Sequence, residues 1–160
     1  MNKLNKIKKL LEKNFNFKGN YYKYFPKTNI ELKQLVKNLI YQYGSKVDLN
    51  NINVSNIIYF NNIFKYKNYF EGDVSEWNVS NGLYFDYMFS DCKEFNCNLS
   101  KWNVFNSKDF NNMFYKCKSF NADLSRWNVS NATDWNDFAL YSLLSKYPEN
   151  IPQKFKNYQL

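Results

Sequence analysis

Histidine is absent from this 160-residue chain. That removes the commonest general base, the commonest metal ligand and every Ser-His or Cys-His nucleophile pairing. Cysteine is scarce and odd in number: Cys92, Cys97 and Cys117 make neither a disulfide framework nor a CxxC zinc pair. Glycine (4) and proline (3) are rare too. No apolar run approaches the length that spans a bilayer. The opening MNKLNKIKKLLEKN has lysines but neither the apolar core nor the small-residue cleavage site of a secretory signal. These features give the expectation of a reduced, cytoplasmic protein with no metal, no cofactor and no enzymatic activity. They also make the Asn-x-Ser triplets at Asn78, Asn98 and Asn128 poor candidates for glycosylation.

What is abundant is aromatic. Fourteen Tyr, 15 Phe and 4 Trp make up 21% of the residues, which argues against disorder, and the length suits one domain. Lys and Arg number 22 against 14 Asp and Glu, a net of +8. Lys, Tyr, Phe, Ile and the 28 Asn are all written with AT-rich codons, so part of the lysine excess follows from base composition.

The dominant pattern is a period of 25. Trp77, Trp102 and Trp127 share one column, and Val54, Val79, Val104 and Val129 another. Asn53, Asn78, Asn103 and Asn128 align, as do Asn56, Asn81, Asn106 and Asn131. Phe60, Phe85, Phe110 and Trp135 form an aromatic column, and Phe64, Phe89 and Phe114 a second. Alternation through Leu99–Val104 predicts a short strand. Phe110, Met113, Phe114 and Cys117 lie at i, i+3, i+4 and i+7, which predicts a helical face. A strand and a helical turn in every 25 residues can bury their apolar sides only by stacking on neighbours. The expected fold is therefore an α/β repeat solenoid, a short leucine-rich-repeat array with parallel strands and a helical cap at each end.

The segments DYMFSDCKEFNCNLSKWNV (86–104) and FNADLSRWNVSNATDW (120–135) resemble the bacterial BspA-type leucine-rich repeats. The resemblance covers roughly residues 48–139. It implies a curved array with parallel strands, a binding role and no enzyme activity. Known members are mostly surface adhesins with leader peptides, and this chain shows no such leader.

Three regions are expected within one compact domain: a helical, Lys-rich N-terminal cap at 1–46, four repeat units at 47–139, and a C-terminal cap and tail at 140–160. Thr28 to Glu31 reads as a capping box. Leu32, Leu35, Val36, Leu39 and Ile40 then line one face of a helix over about Asn29 to Tyr43, and Gly44 suits its stop. Leu4, Ile7 and Leu11 suggest a shorter helix with Lys3, Lys6, Lys8, Lys9 and Lys13 on its other sides. Trp135, Phe138, Leu140, Leu143 and Leu144 predict a closing helix ended by Pro148. Residues 1–46 hold 11 lysines against Glu12 and Glu31, a net of +9. Residues 47–140 hold 8 basic and 11 acidic residues, a net of −3.

The Trp and Val columns read as core, and Cys92 and Cys117 as core of the helical face. Cys97 falls at a small-residue loop position. Stacked asparagines would satisfy backbone groups of adjoining turns. The outward positions Asn78, Ser80, Lys101, Asn103, Phe105, Arg126 and Asn128 are the candidate partner-binding face, with Phe105 the large aromatic that interrupts a serine column. Lys3, Lys6, Lys8, Lys9 and Lys13 are a candidate basic patch. The expected role is a non-enzymatic protein-binding module with a protein partner and no membrane. One alternative is a phage or mobile-element inhibitor of a nucleic-acid-handling complex, anti-CRISPR-like. Others are a binder of nucleic acid or ribonucleoprotein through the basic N-terminal helices, and a BspA-like surface adhesin lacking its leader.

Overall fold

A computed structural model describes residues 22–158. The candidate basic patch at Lys3, Lys6, Lys8, Lys9 and Lys13, with its short helix, lies outside them. Helix α1 runs Asn29–Tyr43, where the apolar spacing placed it. The Thr28 hydroxyl accepts from the Glu31 amide at 3.2 Å, and the Glu31 carboxylate reaches back to accept from the Lys27 amide at 2.8 Å. Gly44 ends the helix at φ 89°, a backbone setting that costs a side-chain-bearing residue. Leu32, Val36 and Leu39 are buried against the first repeat.

The expected α/β solenoid with parallel strands, and with it the leucine-rich-repeat description, is not what the repeats form. Among the described residues there is no strand, α1 is the one α-helix, and pairing between successive units is reduced to isolated parallel bridges. Tyr59, Tyr84, Asp109 and Asp134 make one such line, and Asp48 with Asp73 a separate pair. Each unit is built from β-turns. In residues 99–123, amide-to-carbonyl bonds three residues apart close Leu99–Trp102, Val104–Ser107, Phe110–Met113, Phe114–Cys117 and Cys117–Phe120. The same five turns recur in 49–73 and in 74–98.

The reason lies in the backbone. The third residue of two turns per unit has positive φ: Asn62 and Tyr66, Tyr87 and Asp91, Asn112 and Lys116, Asp137 and Tyr141. A left-handed residue at that place is what a type II turn demands, and it interrupts both a helix and a strand. Two such turns in succession also place residues i, i+3, i+4 and i+7 on one side, so the apolar spacing is met without a helix. Between these turns, alternate amides reach the next unit. Phe110, Asn112, Phe114 and Lys116 donate to the carbonyls of Asp134, Asn136, Phe138 and Leu140 at 2.8–2.9 Å. Phe85, Tyr87, Phe89 and Asp91 do the same one unit earlier at 2.8–3.0 Å.

Inside the turns run the aromatic columns. Phe64, Phe89 and Phe114 stack at 5.1 and 5.6 Å, and Trp77, Trp102 and Trp127 at 6.5 Å each. Each ring pair contributes about 0.5–1.5 kcal/mol beyond its buried area. The indole N–H of each of these three Trp residues also donates to a carbonyl of the preceding unit, those of Leu49, Val74 and Leu99. The Val column and the thiols of Cys92 and Cys117 are buried, as their spacing implied.

Both ends of the stack are closed by side chains. At the first unit the Asn29 amide donates to the Tyr59 and Asn61 carbonyls at 2.9 and 3.1 Å. The expected C-terminal helix does not form: Asp137 and Tyr141 turn left-handed, and the chain continues through 3₁₀ turns at Leu144–Lys146, Pro148–Asn150 and Gln153–Tyr158. Phe138 and Leu144 are nevertheless buried. Phe155 packs on Phe110 and Phe138, where a next unit would put its own ring. The Lys154 ammonium donates to the Ser130 and Ala132 carbonyls at 2.9 and 2.7 Å. One unit earlier the Phe105 carbonyl is met by Asn131; two units earlier those of Ser80 and Gly82 are met by Asn106 and Ser107.

Candidate functional site

Two asparagine columns shape the outer face beside the Trp column. Oδ1 of Asn53, Asn78, Asn103 and Asn128 accepts from the backbone amide two residues on, at 3.0–3.2 Å. These Asx turns fix where the next side chain points. In the units at 55 and 80 the serine hydroxyl returns a second bond to the same oxygen. Phe105 has no hydroxyl to return, and its ring stands 45% exposed. The second column bridges units: the side-chain amides of Asn81, Asn106 and Asn131 donate to the carbonyls of Ser55, Ser80 and Phe105 at 2.8–2.9 Å. That is the backbone-satisfying role their spacing suggested.

Those bridging asparagines wall a groove of about 520 Å³. Asn56, first of their column, lines it too, and its other lining residues are Ile58, Leu83 and Lys108, which share the position two residues further along. Each Asn commits one amide hydrogen to the neighbouring unit, which leaves a second hydrogen and a carbonyl oxygen for a ligand. The groove thus pairs an apolar strip with a row of amides, and Phe105 is the residue just before Asn106 at its margin.

The seven residues singled out from the sequence do not converge on one place. Asn78, Asn103 and Asn128 are exposed but serve their own turns. Ser80 is half-buried and bonded to Asn78. Lys101 and Arg126 line a different groove of about 600 Å³, with Asn98, Ser100, Asn121 and Asp123. Lys101 also meets Glu76 at 3.4 Å, an exposed ion pair of small energetic weight. Phe105 alone adjoins the asparagine groove, through its carbonyl bond from Asn131 and its neighbour Asn106. Ile58 and Leu83 escaped the sequence reading, because their column continues as Lys108 and Thr133 and shows no apolar pattern. Their signal was two large aliphatic side chains at an outward register position.

The thiols have no nucleophile's environment. Burial pushes Cys92 and Cys97 up to about 12, and Cys117 higher than an ordinary thiol. Cys97 also donates to the Asp73 carboxylate at 3.3 Å, which further disfavours its thiolate. Among the described residues no three Cys, Asp or Glu side chains gather as metal ligands, and no helix is long and apolar enough to cross a membrane.

No curated protein and no solved structure matches the chain. One family does, over residues 30–146, from the second residue of α1 to the first 3₁₀ turn beyond the last unit. The match takes in α1 and all the repeats together, so the chain belongs to the family described as Mycoplasma protein of unknown function, DUF285.

Proposed function

We propose that the chain is a non-enzymatic protein-binding module that engages its partner at the asparagine groove and Phe105. The observation that carries this reading is the exposed Phe105, whose carbonyl is held by Asn131 and whose chain neighbour is Asn106, both of which line the groove with the Ile58–Leu83 strip. Interfaces concentrate their energy in a few desolvated aromatics, each contributing about 2 kcal/mol or more. The flanking amides can hydrogen-bond a partner's backbone. We further read the protein as cytoplasmic, supported by three unpaired thiols.

The test restores the column. Phe105→Ser puts back the residue that units 55, 80 and 130 carry, so the fold should be kept. Tagged wild type, Phe105→Ser and Phe25→Ser, a control at another exposed ring, are used for quantitative co-precipitation from the native host. The expected result is a protein retained by wild type and the control but depleted at least tenfold with Phe105→Ser. If no retained protein responds to Phe105→Ser, the groove is not the interface.

A further inference from the structure

The repeats carry a net negative charge, yet their lysines are not spread evenly. The turns Phe64–Lys67 and Lys67–Phe70, with their equivalents in later units, form one edge of the stack. Their register is fixed by the Tyr66, Asp91 and Lys116 amides, each donating to the unit after it at 2.8–2.9 Å. On this edge lie Lys65, Lys67, Lys93, Lys116 and Lys118. They are five of the eight basic residues in 47–140, while only Asp91 and Glu94 of the eleven acids share the edge. Helix α1 extends it: burial is the first cause that lowers the Lys67 pKa, Cys92 opposes it, and Lys33 and Lys37 stand close enough to lower it further.

Tyrosines interleave with these lysines. Tyr66, Tyr69 and Tyr141 are 66%, 78% and 55% exposed. The Lys65 ammonium sits 3.9 Å over the Tyr87 ring and 5.1 Å from Tyr66. Lys118 lies 5.8 Å over Tyr141 and donates to its carbonyl at 2.8 Å. Tyr141 in turn meets Tyr115 edge-on at 5.7 Å. Several of the rings and ammonium groups are therefore held in fixed relation to one another.

We propose that this lysine–tyrosine edge is a binding surface for single-stranded nucleic acid, independent of the asparagine groove. Phosphates demand a line of cations along the backbone direction, and unpaired bases demand flat apolar faces. A groove or edge that alternates the two binds single strands with little sequence preference. An acidic protein would use the lysines but leave large exposed Tyr faces without a partner of matching shape. Duplex would likewise keep its bases stacked and away from the rings.

Binding of fluorescein-labelled 12-mers of oligo-dT and oligo-U to the full chain, read by anisotropy across a potassium chloride series, tests this. The logarithm of affinity should fall against that of salt with a slope of about −0.7 for each phosphate neutralised, or about −3.5 for five lysines. Lys93→Glu/Lys116→Glu should weaken binding at least tenfold and flatten the slope. Lys27→Glu/Lys46→Glu changes the net charge equally at exposed sites off this edge, and should stay within twofold of wild type. Tyr66→Ser/Tyr69→Ser should lose at least tenfold through stacking alone, leaving the salt slope in place. Equal weakening by both charge-reversal pairs would overturn the proposal in favour of bulk charge. So would no measurable binding at low salt. Poly-glutamate bound as tightly as the oligonucleotides, with the tyrosine variant unaffected, would instead identify an acidic protein as the partner.

Discussion

Asp109 is a carboxylate in an awkward place. It stands in the bridge line after Tyr59 and Tyr84, part-buried, with Asp134 next along the line and Asp86 close by. Desolvation first, then the neighbouring Asp134 charge, raise its pKa, against a bond from the Asn111 amide that lowers it. A group whose pKa rises on folding favours the fold when protonated, so the ionised form costs stability above the folded pKa. Asp109→Asn keeps an acceptor for Asn111 and removes the charge. Its melting temperature should exceed that of wild type at pH 7, and the gain should shrink to nothing below about pH 3.9, the unfolded value. Asp123 supplies the opposite sign. Bonds from the Ser125 side chain and backbone amide lower its pKa, so its ionised form stabilises above that same value and ceases to as pH falls through the folded one. Asp123→Asn should therefore lose stability at neutral pH and match wild type in acid. Thermal unfolding of both variants from pH 3 to 8 checks the pair; curves that shift in parallel at every pH would refute the electrostatic account.

At the scale of the element, the alternate amides of the twin left-handed turns all donate to the following unit, while bonds to the preceding unit start elsewhere, as from Leu83 to Ile58 and from Glu94 to Asn68. Each unit passes alternate amides to the next, and the last has no unit to receive them. The amides of Asp137, Ala139 and Tyr141 meet no backbone carbonyl among the described residues, whereas their counterparts Asn112, Phe114 and Lys116 all do. Hydrogen exchange followed by NMR should find Asp137 and Tyr141 faster than Asn112 and Lys116 by roughly 100-fold or more, the difference between a local opening and a deeper one. Equal protection would mean that some other group closes that edge. These turns also mark the limit of what the sequence discloses. The period, the buried columns, α1 with its cap, and the bridging asparagines were legible, because they rest on spacing and side-chain chemistry. The turns were not, since i, i+3, i+4, i+7 is shared by a helix and by paired turns. The left-handed positions are held by Tyr66, Tyr87, Lys116 and Tyr141 as well as by the more telling Asn62 and Asn112. Tertiary stacking overrides local preference there, at about 1–2 kcal/mol for each strained residue. Phe105 was legible as a break in a serine column. The basic edge was not, because only Lys93 and Lys118 share a register position, while Lys65, Lys67 and Lys116 fall at others and join them only once the turns are folded.

At the scale of the molecule, the question is whether the units open singly or together. The Phe column joins the first three units and the Trp column the last three, so the two overlap across the stack, and side chains close both ends: Asn29 at one, Lys154 and Phe155 at the other. Removing any one unit from contact would expose ring faces on both its neighbours, so partial opening is costly and a single cooperative transition is expected. The cysteines report on this directly, because they sit at different depths. Cys92 and Cys117 are wholly buried in adjacent units, each thiol bonded at 2.9 Å to a carbonyl of the unit before it. Both should be alkylated only through global unfolding, and so at one common rate. Cys97 is part-exposed, but with its pKa near 12 its thiolate at pH 8 is scarcer than a free cysteine's by about three orders of magnitude, and it should react correspondingly slowly without unfolding. Pulse alkylation with iodoacetamide, read site by site by mass spectrometry in rising urea, separates the cases. With cooperative opening, Cys92 and Cys117 are labelled together along the global unfolding curve. If Cys117 leads Cys92 by tenfold, the C-terminal unit and its Phe155 cap come away first, and the aromatic columns do not bind the repeats into one unit.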